Sequence, residues 1–146
     1  MSELHHRSHE ILQDYWDKVR ADKTMPAEGD IDPDDIADIW SSCFLICIDE
    51  VTQRIGYRYS YMGDKLIEAY GDDVSNPDVA ERLISTGSLP IIKKFDEAVS
   101  GQKPVTDESE FVNLKGLNIR YRTCILPLGQ DGKITHLLGC MRWKLY

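Results

Sequence analysis

Three tyrosines at alternate positions, Tyr57, Tyr59 and Tyr61, are the side chains in this sequence best spaced to act together. On a pleated strand a spacing of two puts side chains on one face. A phenol offers an apolar ring and one hydroxyl that needs a partner when buried. Such a row suits a pocket that holds a small molecule by apolar contact and anchors it with a few hydrogen bonds. Ile119, Tyr121 and Thr123 repeat the alternation later in the chain, so Tyr57, Tyr59, Tyr61, Ile119, Tyr121 and Thr123 are the candidate pocket lining. The competing reading is plain core packing, since aromatic stripes at strand spacing fill the space between sheets and helices. Arg58, Arg120 and Arg122 occupy intervening positions. Facing inward they would favour an anionic metabolite; facing outward they would be surface or interface groups with acidic partners.

Other reactive residue types are scattered. Cys43, Cys47, Cys124 and Cys140 lie in apolar stretches without a Cys-x-x-Cys pair, the pattern of reduced core thiols, and no metal site is expected from them. His5, His6 and His9 sit together near the start as a surface feature, and His136 reads as a satisfied sheet histidine. Glu28, Asp30, Asp32, Asp34, Asp35 and Asp38 crowd into one stretch, read as a solvated loop and helix start because no calcium-loop spacing closes with a twelfth-position glutamate. No Ser-His-Asp or Cys-His arrangement has a spacing that suggests catalysis.

The bulk properties narrow the classes further. A net charge of -8 argues against nucleic acid as a partner. With 146 residues the chain is expected to form one domain with its own core. No long apolar run or secretory h-region occurs, so no membrane association and a cytoplasmic location are expected.

The elements that would position the tyrosines follow from the pattern. Phe44 to Ile48 and Ile55 to Met62 read as a hairpin, and Asp64 as the N-cap of a short helix through Leu66, Ile67 and Tyr70 that Gly71 ends. Ahead of them, Ser8 is expected to cap an amphipathic helix whose stripe is Ile11, Leu12, Tyr15, Trp16 and Val19. That stripe must pack either on the chain's own sheet or on the same helix of a second copy, and it is the candidate dimer or partner surface. After a linker from Ala21 to Asp30, Asp32-Pro33 starts a second helix that buries Ile36, Ile39 and Trp40.

Two more helices are expected beyond Gly71. One follows Asn76-Pro77 with Val79, Leu83 and Ile84 on its buried side; the other runs from Leu89 to Val99, opened by Ser88 and stopped by Gly101. Three strands complete the chain: Pro104 to Val112 at an edge, Leu117 to Leu128 after the Lys115-Gly116 turn, and Ile134 to Trp143 after Asp131-Gly132, the strongest local turn signal.

Tyr15-Trp16, Met25-Pro26, Ile31-Asp32-Pro33, Tyr57-Arg58-Tyr59 running into Met62-Gly63, Tyr70-Gly71, Ile125-Leu126-Pro127-Leu128 and Leu137-Leu138-Gly139, in this order, span nearly the whole chain. In this the sequence resembles PAS domains, in particular the short single-domain bacterial PAS proteins of the PAS_5 type. The resemblance implies an α+β fold: a five-stranded antiparallel sheet in the order 2-1-5-4-3, short helices on one face enclosing a cavity, and an N-terminal amphipathic helix. It divides the chain into an N-terminal helix and linker, 1–30, and a PAS-like domain, 31–146, within one globular unit. The function it implies is non-enzymatic: small-ligand sensing or protein–protein interaction in bacterial signal transduction, as a homodimer and with a signalling partner.

The Asn-Cys-Arg-Phe run of flavin photosensors is missing, and 89–99 carries no histidine where haem-binding relatives place one, so no flavin or haem is expected. The alternative is a small α+β cone of the nuclear-transport-factor-like type, an enzyme using Asp, His and Tyr in its pocket. Its long helices precede an almost unbroken run of strands, whereas here two strands come before the helical block.

Overall fold

The computed structural model describes residues 2–51, 54–73, 76 and 91–146, with side chains from residue 8 onward except at 50–55. Helix α1 (Ser2–Arg20) leads into turns, followed by strands β1 (Cys43–Val51) and β2 (Arg54–Met62), helices α2 (Asp64–Tyr70) and α3 (Ile91–Gly101), and strands β3 (Val105–Val112), β4 (Asn118–Gln130) and β5 (Lys133–Leu145). The strands form one five-stranded antiparallel sheet in the order β2-β1-β5-β4-β3. This is the order the resemblance implies, with the hairpin docked beside the last strand. The cone-type alternative is overturned by it.

Local chemistry sets most of the boundaries. At the β4–β5 turn Asp131 (φ 55°) and Gly132 (φ 77°) both take the left-handed conformation that a two-residue hairpin of this twist needs. The Asp32 side chain accepts from the Asp34 amide and Pro33 takes the first helical position, as expected, but only a 3-10 turn (Pro33–Ile36) results. A second 3-10 turn, Trp40–Ser42, follows, so the expected single helix is replaced by two turns. The aspartates at 34, 35 and 38 are poor helix formers and favour this outcome.

Three other boundaries differ from expectation. Helix α1 starts at Ser2 instead of being capped by Ser8, because 3–7 contains no breaker to stop it. Gly63, not Asp64, is the N-cap of α2; Asp64 is its first helical residue. Gly101 is still helical, and Gln102 at φ 52° ends α3. The helix expected around Val79, Leu83 and Ile84 lies outside the described residues.

Strand register sorts the core into two layers. On the inner face, toward α2 and α3, lie Phe44, Ile46, Tyr57, Tyr59, Leu137, Ile125, Tyr121 and Ile119. Phe95 of α3 meets Phe44, Tyr57 and Tyr59, and Tyr70 of α2 stacks on Phe111 of β3. The outer face carries Cys43, Leu45, Cys124, Leu126, Leu128, Leu138 and Cys140. It is covered by α1 and the following turns, which bury Leu12, Trp16, Met25, Ile36 and Ile39.

Two polar anchors lock these layers. The Trp16 indole donates to the Pro127 carbonyl at 2.9 Å. Asn113, buried at the β3–β4 turn, accepts from the Lys115 and Leu117 amides and donates to the Ala69 carbonyl. Gly139 lets the Phe44 ring lie on the sheet: a Cβ there would sit 2.2 Å from Phe44 Cζ and 2.7 Å from the Cys124 carbonyl oxygen.

Candidate functional site

The interior between the sheet and α2 and α3 is built from aromatic side chains. β2 supplies Tyr57 and Tyr59, paired with Ile48 and Ile46 of β1. β4 supplies Ile119, Tyr121 and Thr123, and β3 supplies Phe111 opposite Ile119. Tyr59 makes edge contacts with Phe44, Tyr70 and Phe95, and Phe111 meets Tyr121 edge-on at 5.8 Å. These aromatics form a continuous chain of rings from β2 across the helices to β4.

The hydroxyls differ in how they are satisfied. Tyr57 donates to the Asp96 carboxylate of α3, and Thr123 donates to the Cys140 carbonyl at 2.8 Å. Tyr59 and Tyr70 share one long contact of 3.4 Å. Tyr121, only 3% exposed, has a hydroxyl with no hydrogen-bond partner among the described residues. Ser109 is near enough to pull slightly on its titration without meeting hydrogen-bond geometry.

Desolvation raises the pKa of Tyr57, Tyr59, Tyr70 and Tyr121 well above the usual phenol value, so all stay neutral. Asp107, half-buried on the inner face of β3, is also pushed up by desolvation, with the nearby Lys94 ammonium pulling it back down. Among the described residues the site therefore offers apolar ring faces, one unused hydroxyl and no inward-facing arginine.

Of the expected lining, Tyr57, Tyr59, Ile119, Tyr121 and Thr123 come together on this face and Tyr61 does not. A bulge at Ser60 pairs Tyr59 with Ile46 but Tyr61 with Leu45, which moves Tyr61 to the outer face. There it stacks on Trp40 at 4.3 Å and donates to the Trp40 carbonyl at 2.8 Å. Tyr70, Phe95 and Phe111 belong to the site and were not singled out. The helical spacing of Leu66 with Tyr70 and of Ile91, Ile92, Phe95 and Val99 is the signal that could have found Tyr70 and Phe95.

Arg58, Arg120 and Arg122 lie on the outer face, which removes the basis for an inward anionic pocket. Arg58 pairs with Asp49, Arg120 with Glu110 and Arg122 with Glu108. All four cysteines lie on the outer face too, and none points into the aromatic interior. Burial raises the thiol pKa of Cys43 to about 12 and that of Cys124 to about 11. His136 is half-buried, its Nδ1 2.8 Å from the Thr135 hydroxyl. Among the described residues no cluster of His, Cys, Asp or Glu is arranged to hold a metal ion.

In the N-terminal helix, Leu12 and Trp16 are buried against the chain's own sheet. Tyr15 and Val19 are half-buried and Ile11 is exposed. The Tyr15 hydroxyl accepts from the Asp32 amide at 2.8 Å and donates to the Asp35 carboxylate at 3.2 Å. No helix among the described residues is long and apolar enough to cross a membrane.

A family model described as a PAS domain matches residues 4–142. The sequence has no match among curated proteins. Among solved structures the chain is similar to an RNA-binding light-oxygen-voltage receptor, with a TM-score of 0.52 and 16% identity over 80% of this chain. It spans only 35% of that receptor chain. It is similar also to a fungal LOV domain photoreceptor, with a TM-score of 0.50 and 13% identity over 79% of this chain and 93% of that one. At such identities the likeness is one of fold.

Proposed function

The chain belongs to the PAS domain family over residues 4–142, and from that premise we propose that it is a non-enzymatic sensory module that reads a small ligand in its aromatic interior. Its fold is that of a sensory or regulatory domain. The observation that carries the ligand reading is the Tyr121 hydroxyl, buried without a partner among the described residues. Such a group costs about 1–3 kcal/mol to bury unpaired, and a ligand accepting from it would recover that cost. Tyr57, Tyr59, Ile119, Tyr121 and Thr123 are the proposed lining. The ligand class they suit is neutral and largely apolar, with one acceptor atom for Tyr121.

Neither flavin nor haem is proposed as that ligand. A cysteinyl-flavin adduct needs a thiol beside the ring, and no cysteine faces the interior; α3 carries no histidine for haem iron.

Output would pass to a signalling partner in bacterial signal transduction, from a homodimer in the cytoplasm. Nucleic acid and membrane are not proposed as partners. Thermal-shift screening of ligand-free protein against neutral small molecules tests the reading. A hit whose stabilisation is lost in Tyr121→Phe but kept in Tyr61→Phe supports it; hits of equal size in all three proteins would contradict it.

A further inference from the structure

The outer face of the sheet is only partly covered. Beyond the reach of α1, β4 presents Arg120 and Arg122 and β5 presents Arg142 and Lys144. Arg122 is directly opposite Arg142, and Arg120 opposite Lys144. Like charges directly opposite on neighbouring strands are destabilising, and here two such pairs stand side by side. On the other flank, Glu108 and Glu110 of β3 engage Arg122 and Arg120. No carboxylate among the described residues pairs with Arg142 or Lys144. The pairing of β1 with β5 ends at Cys43 opposite Cys140, so no strand borders these two on their other side. The four cations and Glu108 line a half-open groove of about 470 Å³.

The rest of the chain is acidic, and its densest acid is displayed beside the same face. Glu28, Asp30, Asp32, Asp34, Asp35 and Asp38 are all exposed. Their turns are tied to α1 through Tyr15 and to the outer face through the stacking of Trp40 on Tyr61. Asp30 pairs with Lys23, and Asp32 and Asp35 are held by the local bonds already described. The Glu28, Asp34 and Asp38 carboxylates have no ion-pair partner among the described residues. One face thus carries a basic quartet of which Arg142 and Lys144 have no carboxylate partner among the described residues, and an acidic run of which Glu28, Asp34 and Asp38 have no cationic partner among them.

We propose that this face is the contact between two copies of the chain, with the Arg120, Arg122, Arg142 and Lys144 groove of each copy taking the 28–38 acidic run of the other about a twofold axis. A twofold contact is reciprocal, so one surface bearing both charges supplies both halves. The inference rests on the homodimer reading and changes its chemistry: Leu12 and Trp16 are committed to the intramolecular core, and charge complementarity sets the register.

Sedimentation velocity at about 50 µM in about 0.05 M and about 0.5 M salt tests it, with circular dichroism to confirm folding. The wild type is expected to dimerise at low salt and to dissociate at least tenfold more readily at high salt. Arg142→Glu with Lys144→Glu, and separately Asp34→Lys with Asp38→Lys, are each expected to give monomers. Mixing the two variants restores attraction at both contacts and is expected to give a heterodimer. Salt-insensitive dimers in which both variants remain dimeric would overturn the inference and leave the homodimer standing. Monomeric variants that stay monomeric when mixed would overturn the proposed occupant, pointing to another acidic partner. A monomeric wild type at both salt concentrations would overturn the homodimer and the inference together. The salt comparison needs no variant to fold.

Discussion

Removing the Tyr121 hydroxyl is expected to stabilise the ligand-free protein, whereas removing the Tyr61 hydroxyl destabilises it. Both substitutions, Tyr121→Phe and Tyr61→Phe, keep the ring and its neighbours. Tyr121 is desolvated and unpartnered among the described residues, so its hydroxyl carries a burial cost of about 1–3 kcal/mol with no bond in return. Local relaxation recovers part of that, leaving an expected gain of about 1 kcal/mol, which is about 3 °C in Tm for a chain of this size. Tyr61 donates to the Trp40 carbonyl at 2.8 Å, and its loss is expected to cost about 1 kcal/mol. The two variants should therefore differ by about 2 kcal/mol with opposite signs. Urea unfolding of protein refolded from denaturant, so that no small molecule is carried over, measures both. If Tyr121→Phe loses as much stability as Tyr61→Phe, the hydroxyl is already bonded in the empty protein and the reasoning fails.

The remaining expectations concern the scaffold. Trp16→Ala removes a buried indole and leaves the Pro127 carbonyl unpaired, so it should cost about 3–5 kcal/mol in urea unfolding and expose α1 to limited proteolysis. Gly139→Ala drives a Cβ to 2.2 Å from Phe44 Cζ and should cost about 2–3 kcal/mol in the same assay. Folding raises the pKa of Cys43 to about 12 and of Cys124 to about 11, and raises the buried tyrosines as well. Above pH 9 the unfolded chain then binds fewer protons than the folded one, so stability should be constant through neutral pH and fall from about pH 9 upward. Tm measured from pH 7 to 11 checks this; a fall beginning below pH 8 would contradict it.

Features set by neighbouring residues were the legible ones. Asp131-Gly132 needs only its own backbone preferences to make a turn, and Asp32-Pro33 only its own side chains to start one. The order of the sheet came from the resemblance, because nothing in Phe44 to Ile48 by itself says that Ile134 to Trp143 will lie alongside it. Tyr61 shows where strand parity breaks down: the bulge at Ser60 is a property of two paired strands, and one strand's alternation does not encode it. The N-terminal stripe was visible as a stripe, but its choice of the chain's own sheet over a second copy depends on the outer-face leucines at 126, 128 and 138, which are far away in sequence. Tyr121 was singled out by spacing, whereas the lack of a partner for its hydroxyl among the described residues depends on side chains brought in from distant parts of the chain.

The aromatic interior as a ligand site is tested most directly by native mass spectrometry of the purified protein, compared with the same sample after denaturation. The account predicts a native mass that exceeds the denatured chain by a neutral small molecule, released on unfolding and not retained by Tyr121→Phe. An identical extra mass on wild type and Tyr121→Phe, or a wild type that stays bare after incubation with every stabilising compound from the thermal screen, would contradict it.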